Sequence, residues 1–424
     1  MRQRHCRLIL ARVGTLFLLS LPTSCRLRRW RVRAFVKTRV GLRALESSNA
    51  RSVRNCTSVI QIFEPTVALE VHLLRLSFTT ALLIALLPLN AAMAQPYADP
   101  LDAPAEINQL ASRSQLTAIT QVSNRLVAVG ARGVVLLSDD GGQHWRQAKV
   151  PVSSDLVAVQ FPSKSLGWAV GHDGVILHTA DGGETWTKQL DGRDLLKQLT
   201  DHFQALAEKG DAHASQYLDL VKLNFGNGPE QPFLGVWFEN ELNGYAVGAF
   251  GTLVATHDGG KSWESWIEKI DNPNSFHLNA IIGIAGQLYI ASEQGTVFKL
   301  DHTQQRFVAL STGYSGSFFG VVGDQRFLFA HGLRGSAYRS TDGGLSWTRV
   351  ETGSGAGLVA GVVNSNGALL LASQAGAVLR SDDQGKSFKP LDSTHPYLFA
   401  GLSLVDGDRV AIVGMSGVQV VSAH

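Results

Sequence analysis

Thr179–Trp186 reads TADGGETW, and near-copies of it recur along the chain: SDDGGQHW at Ser138–Trp145, THDGGKSW at Thr256–Trp263, STDGGLSW at Ser340–Trp347 and SDDQGKSF at Ser381–Phe388. The shared form is [ST]-x-D-x-G-x-[STH]-[WF], with Asp140, Asp181, Asp258, Asp342 and Asp383 in register and Trp145, Trp186, Trp263, Trp347 and Phe388 closing each copy. Each copy follows a short apolar strand and precedes another. Asp before Gly is hairpin-turn chemistry, because the carboxylate accepts turn amides and Gly takes positive φ. The closing aromatic is best used by burial between neighbouring sheets. Five Asp in the same turn of five units read as a folding device, since functional sites are grafted onto folds and are seldom repeated.

A second motif precedes each box: a tight turn ending in Gly133, Gly174, Gly251, Gly295, Gly335, Gly376 or Gly417. Its spacing is close to the box period and gives seven units, the fourth keeping only the degenerate box LDHTQQRF with Phe307 in the aromatic position. Each unit parses into four short strands, the first carrying small residues (LTAITQV, LVAVQF, FLGVWF, LNAIIGI, FFGVVG, LVAGVV). Repeats of this length with four strands each predict propeller blades. The fold class is therefore all-β, a seven-bladed β-propeller of four-stranded blades. The seventh unit ends one strand short, and residues 96–114 are expected to supply that strand and so remove an open edge.

An excess of sequence, about 191–231, separates the second and third units. In RDLLKQLTDHFQALAEKG, Leu195, Leu196, Leu199, Phe203 and Leu206 recur at helical spacing up to Gly210, and ASQYLDLVKLNF repeats the pattern. These predict a helical hairpin inserted after blade 2 and packed on the propeller.

The full chain carries 38 basic and 35 acidic residues, a near balance that conceals two regions of opposite charge. Residues 1–70 hold thirteen Arg, one Lys and three Glu, together with Cys6, Cys25 and Cys56, whereas residues 95–424 carry 23 basic against 32 acidic residues and no cysteine. The repeat region thus offers no basic patch for nucleic acid and no disulfide or thiolate metal site. Residues 71–94 read as a signal peptide: His72 and Arg75, an apolar run from Leu76 to Leu89, then Ala92-Met93-Ala94 before cleavage. Export to the periplasm, without membrane insertion after cleavage, is the expectation. Residues 1–70 fit no exported protein. Either the reading frame starts upstream of the true start at Val71, or LILARVGTLFLLSLPTSC, ending at Cys25, is a second anchor or lipoprotein signal.

In a four-stranded meander the turns between strands two and three share a rim with the connections between blades, and the boxes lie on the opposite rim. One face is therefore expected to present the Gly-turn residues Arg132, His172, Asp173, Phe250, Glu293, Gln294, Leu333, Arg334, Gln374 and Met415 together with the insertion. Arg132, His172, Phe250 and Arg334 are the partner-binding candidates. Neither a metal site nor a cofactor is expected, and the chain is read as a monomer.

The box resembles the Asp-box of sialidase-type repeats. Together with the VGxxGxxxxTxDGGxTW unit, seven copies and a leader, residues 96–424 resemble the photosystem II stability and assembly factor family. That resemblance implies a non-catalytic propeller that helps assemble a membrane protein complex, in the thylakoid lumen of a photosynthetic host or at another envelope complex, docking through surface arginines. Arg132 and Arg334 are the matching positions here. A sialidase-like hydrolase is the rival reading. It requires an arginine triad, a Tyr–Glu pair and an acid/base Asp, and Tyr245, Tyr289 and Tyr338 lie within strands without a Glu partner. Binding of a glycan or peptide without catalysis is the third reading. An aromatic platform on the Gly-turn face distinguishes glycan from a charged, protein-binding face.

Overall fold

A computed structural model of the chain describes residues 10–12, 15–17, 98–391 and 397–423. The chain divides into two units, Met1–Ala92 and Met93–His424. The described part of the first is a short antiparallel hairpin, Leu10–Arg12 with Thr15–Phe17. The expected signal peptide at 71–94, and the rest of residues 1–70, lie outside the described residues.

The second unit contains seven antiparallel sheets, each in sequence order from an inner to an outer strand. Blade 1 comprises Leu116–Val122, Arg125–Gly130, Val135–Ser138 and Arg146–Gln147, and blades 2 to 6 repeat it from Leu156, Phe233, Leu278, Phe318 and Leu358. Blade 7 comprises Phe399–Leu404, Arg409–Gly414 and Gly417–Ser422. The inner strands pack against one another round the ring, which closes where Phe399–Leu404 meets Leu116–Val122. The seven-bladed propeller and its helical insertion are as the repeat predicts.

One expectation fails. Residues 98–115 contain no strand, and blade 7 is three-stranded among the described residues. The segment's first part runs along blades 1 and 2, and its 3-10 turn Ala111–Arg113 packs on Gly417 of blade 7 without pairing as a strand. Leu101 and Ala105 are buried with Val150, Val152, Leu156 and Trp186. The Ala105 amide donates to Val150 O at 3.1 Å, and the Ser153 amide to Pro100 O at 2.8 Å. Burying Leu101 and Ala105 in that seam removes their apolar surface from water, which favours this path for the segment.

The box aromatics bind each blade to the one before it. Trp186 is buried with Val127 and Val129 of blade 1, Trp263 with residues of blade 2, and Phe307 with Tyr245 and Val247 of blade 3. Trp145 packs against Val418 and Val420 of blade 7, so the same contact seals the ring.

Asp191 caps the first insertion helix, α1 (Gly192–Glu208), accepting from the Arg193 amide at 2.9 Å. Burial, which alone raises its pKa, is outweighed by Arg193 and Lys188, and the carboxyl is held well below the usual range. Arg193 also reaches Asp102 at 2.8 Å, tying the insertion to the N-terminal segment. Leu195, Leu199 and Phe203 of α1, with Val221 of α2 (Ala214–Asn224), bury against Ile176 and Val254 of the propeller. This is the apolar stripe read from the sequence.

His331 lies fully buried between blades 5 and 6, its Nδ1 donating to Leu358 O at 2.8 Å. Gly320 leaves room for the ring: a Cβ there would stand 2.7 Å from Nε2. Burial pushes the imidazole pKa down to about 4. Because the folded value lies below the unfolded one, the neutral ring's contribution is complete above about pH 6.5 and is lost as pH falls towards 4. Chemical denaturation is expected to show about 3 kcal/mol of acid destabilisation across that window, absent in His331→Leu. An unchanged pH slope in the variant would assign the loss to other groups.

Candidate functional site

The box rim is built for folding. In each box the Ser or Thr hydroxyl donates to one carboxylate oxygen and accepts the second Gly amide, as in Ser138 Oγ to Asp140 Oδ1 and the Gly142 amide to Ser138 Oγ, both 2.9 Å. The same carboxylate accepts the amide four residues on, for example His144 to Asp140 at 3.0 Å and Thr185 to Asp181 at 3.0 Å. Indole nitrogens of Trp145, Trp186 and Trp347 donate to the box Gly carbonyls. The Ser262 hydroxyl and amide hold Asp258 at about 2, and those of Ser346 do the same for Asp342. Asp140 and Asp383 are likewise held far below the usual range. Fully ionised carboxylates saturated by their own turns are unsuited to acid catalysis.

The opposite rim carries the Gly turns. In six blades the first turn residue donates its amide to the carbonyl just before that blade's inner strand: Ala131 to Gln115, His172 to Asp155, Ala249 to Pro232, Leu333 to Ser317, Gln374 to Gly357 and Met415 to Leu398. In blades 1, 2, 3 and 5 the next residue, Arg132, Asp173, Phe250 or Arg334, takes the left-handed conformation, as Gln294 of blade 4 also does. The closing Gly sits against the following connector; a Cβ at Gly335 would lie 1.8 Å from Ser354 O. Strained backbone and close approach together hold these side chains on the rim.

Arg132, His172, Phe250 and Arg334 are all exposed on this face. Arg132, His172 and Phe250 occupy blades 1, 2 and 3 in succession, whereas Arg334 belongs to blade 5. The fold therefore does not gather the two arginines into one patch. Phe250 is fixed by its amide, which donates to His277 Nδ1 at 2.8 Å, and by edge contact of the two rings.

A feature unread in the sequence lies at the centre. Every inner strand carries a bulge at its second residue, between Leu116 and Ala118 in blade 1 and at the matching place in the other six. A bulge re-aims a side chain, and the seven bulged residues, Thr117, Val157, Leu234, Asn279, Phe319, Val359 and Ala400, line a central opening of about 500 Å³. Two of its polar members are engaged: Asn279 Nδ2 donates to Phe318 O at 2.8 Å, and the Thr117 hydroxyl to Leu156 O. Inner strands begin at the Gly-turn rim, so the mouth opens on that face, and Gln374 of the blade 6 turn lines it.

Around this mouth the face is divided. Blades 1 to 4 and the insertion carry many charges. In blades 5 to 7, the turns 333–335, 374–376 and 415–417 and the connectors 311–317 and 352–357 contain only one charged residue, Arg334. Leu333, Leu398 and Met415 are exposed there by 39%, 56% and 52%. Leu110 is also exposed and opens the 3-10 turn Ala111–Arg113, which packs on Gly417. The sequence signal for Leu398 is its register: it is the residue before the inner strand, where blades 3 and 5 have Pro232 and Ser317. Among the exposed large apolar side chains of the described residues, Phe250 is the aromatic one. Among the described residues no group of three His, Cys, Asp or Glu converges as a metal site, and no helix is long and apolar enough to cross a membrane.

The model of the photosystem II assembly factor YCF48 family matches residues 106–206. No curated protein sequence matches the chain. Among solved structures, YCF48 bound to a D1 peptide aligns with a TM-score of 0.55 and 18% identity, covering 77% of this chain and 98% of that one. YCF48 from Cyanidioschyzon merolae aligns at 0.54 and 17%, covering 75% and 98%. The WD40 propeller domain of Doa1 aligns at 0.54 and 12%, covering 77% and 97%, so the overall likeness is one of fold.

Proposed function

We propose that this chain, which resembles the photosystem II assembly factors in its matched repeat and seven-bladed fold, is an exported, non-catalytic propeller that binds a component of a membrane protein complex and assists its assembly. The observation that carries this is the set of exposed aliphatic side chains Leu333, Leu398 and Met415 on blades 5 to 7, beside the largely apolar lining of the central opening. Exposed leucine and methionine beside an uncharged rim suit a polypeptide segment, which buries apolar side chains on binding. One of the solved YCF48 structures holds a D1 peptide; a peptide of a membrane subunit is the corresponding ligand class here. Arg334 makes no ion pair among the described residues and is available to an acidic group on the client. Residence in the periplasm, or in the lumen of a photosynthetic host, belongs to the same proposal and rests on the leader sequence.

The test is affinity capture from gently solubilised host membranes followed by mass spectrometry. One stoichiometric membrane complex is expected with the mature protein. The double variant Leu333→Asp, Met415→Asp, with wild-type thermal unfolding, is expected to recover at least about tenfold less, since charge buried in an apolar contact costs more than 1.4 kcal/mol. Equal recovery by both proteins would remove this surface from consideration.

A further inference from the structure

Between the insertion and the propeller lies a groove of about 600 Å³, larger than the central opening. Helix α2 forms one wall. Its buried stripe is Ala214, Val221 and the following Phe225, which pack inward. Leu220 and Leu223 fall off that stripe and face the groove, and Leu223 is 78% exposed. The connector 270–275 forms the floor, with Ile270 and Pro273, and it also supports the blade 3 turn that carries Phe250. Leu223 and Pro273, with half-buried Leu220, thus present aliphatic surface to solvent along the groove.

The charges around the groove are unequal. Asp219, Glu268 and Asp271 line it against one cation, Arg306. Glu268 is held by Ser265 at 2.9 Å and His202 at 2.9 Å. Asp219 and Asp271 are exposed and form no ion pair among the described residues. Two unneutralised carboxylates beside an aliphatic slot specify a complementary occupant.

We propose that this groove docks a polypeptide segment of a partner that presents aliphatic side chains flanked by lysine or arginine. The aliphatic side chains lie against Leu220, Leu223 and Pro273, and the flanking cations meet Asp219 and Asp271. The groove is separate from the blades 5 to 7 surface, so either can fail without the other. It gives the insertion a function of its own, selecting the charge of the bound segment while the neutral sector supplies a second contact.

The experiment uses the purified mature protein and fluorescein-labelled short peptides read by anisotropy. A peptide alternating leucine and lysine is expected to bind, with affinity falling as salt rises. Peptides alternating leucine with glutamate, or serine with lysine, are expected to bind at least about tenfold more weakly. Two independent variants, Leu220→Ser with Leu223→Ser and Asp219→Lys with Asp271→Lys, should each weaken the leucine–lysine peptide about tenfold, while Leu345→Ser, an exposed leucine of the opposite rim, leaves it unchanged. Equal binding by wild type and both groove variants means adsorption to an acidic surface and overturns the proposal. So does absence of binding, or equal affinity for the glutamate peptide.

Discussion

Phe203→Ala is expected to lower stability by about 4 kcal/mol and to release the insertion before the propeller unfolds. Phe203 is fully buried, stacks on Tyr217 with ring centroids 5.1 Å apart, and shares one cluster with Leu195, Leu199, Val221 and Ile176. Removing its ring leaves a cavity at the point where both helices meet the blades. Helices of 17 and 11 residues are marginal by themselves, so without that anchor they lose their structure. Hydrogen exchange followed by mass spectrometry checks this. Protection should fall across 192–225 while the inner strands of blades 5 to 7 stay protected. Uniform loss across all blades would mean that the insertion is part of the ring's folding unit, and an unchanged profile would mean that the helices dock elsewhere.

Gly335→Ala is expected to destabilise the ring by more than about 3 kcal/mol, with Gly353→Ala as its control at about 1 kcal/mol. Both glycines have positive φ, 72° and 79°. They differ in surroundings: an added Cβ at Gly335 would meet Ser354 O at 1.8 Å and one at Gly353 would meet nothing within 4 Å. The control carries only the conformational penalty of the left-handed region. The difference between the two is the cost of pushing the blade 6 connector away from the blade 5 turn. Urea denaturation measures both. Equal midpoints would show that this connector yields freely and that the paired-Gly turn is not held by interblade contact.

Both results bear on function, because the Gly turns place Leu333, Arg334 and Met415 on the rim. Their amides are tied to the connectors at one end and their closing glycines to the next blade at the other. A docking surface built on such turns keeps its shape without a ligand, and this lowers the ordering cost of association.

Much of this molecule is written in short-range chemistry. The Asp–Gly turns, the closing aromatics and the paired glycines each act within a few residues, so their period alone determines seven blades. The helical spacing of Leu195, Leu199 and Phe203 identifies the insertion for the same reason. Three features required the tertiary structure. Counting strands predicts that residues 96–114 complete blade 7, yet Leu101 and Ala105 fill the seam between blades 1 and 2, a choice that no local pattern encodes. The bulge that turns Phe319 and its counterparts into the central opening is visible only in the strand pairing, at the same register in all seven inner strands. Arg132 and Arg334 are equivalent in sequence but stand in blades 1 and 5, whereas Leu398 and Met415, seventeen positions apart, meet through one hydrogen bond. The sequence determined what each turn is; closure of the ring decided which turns share a surface.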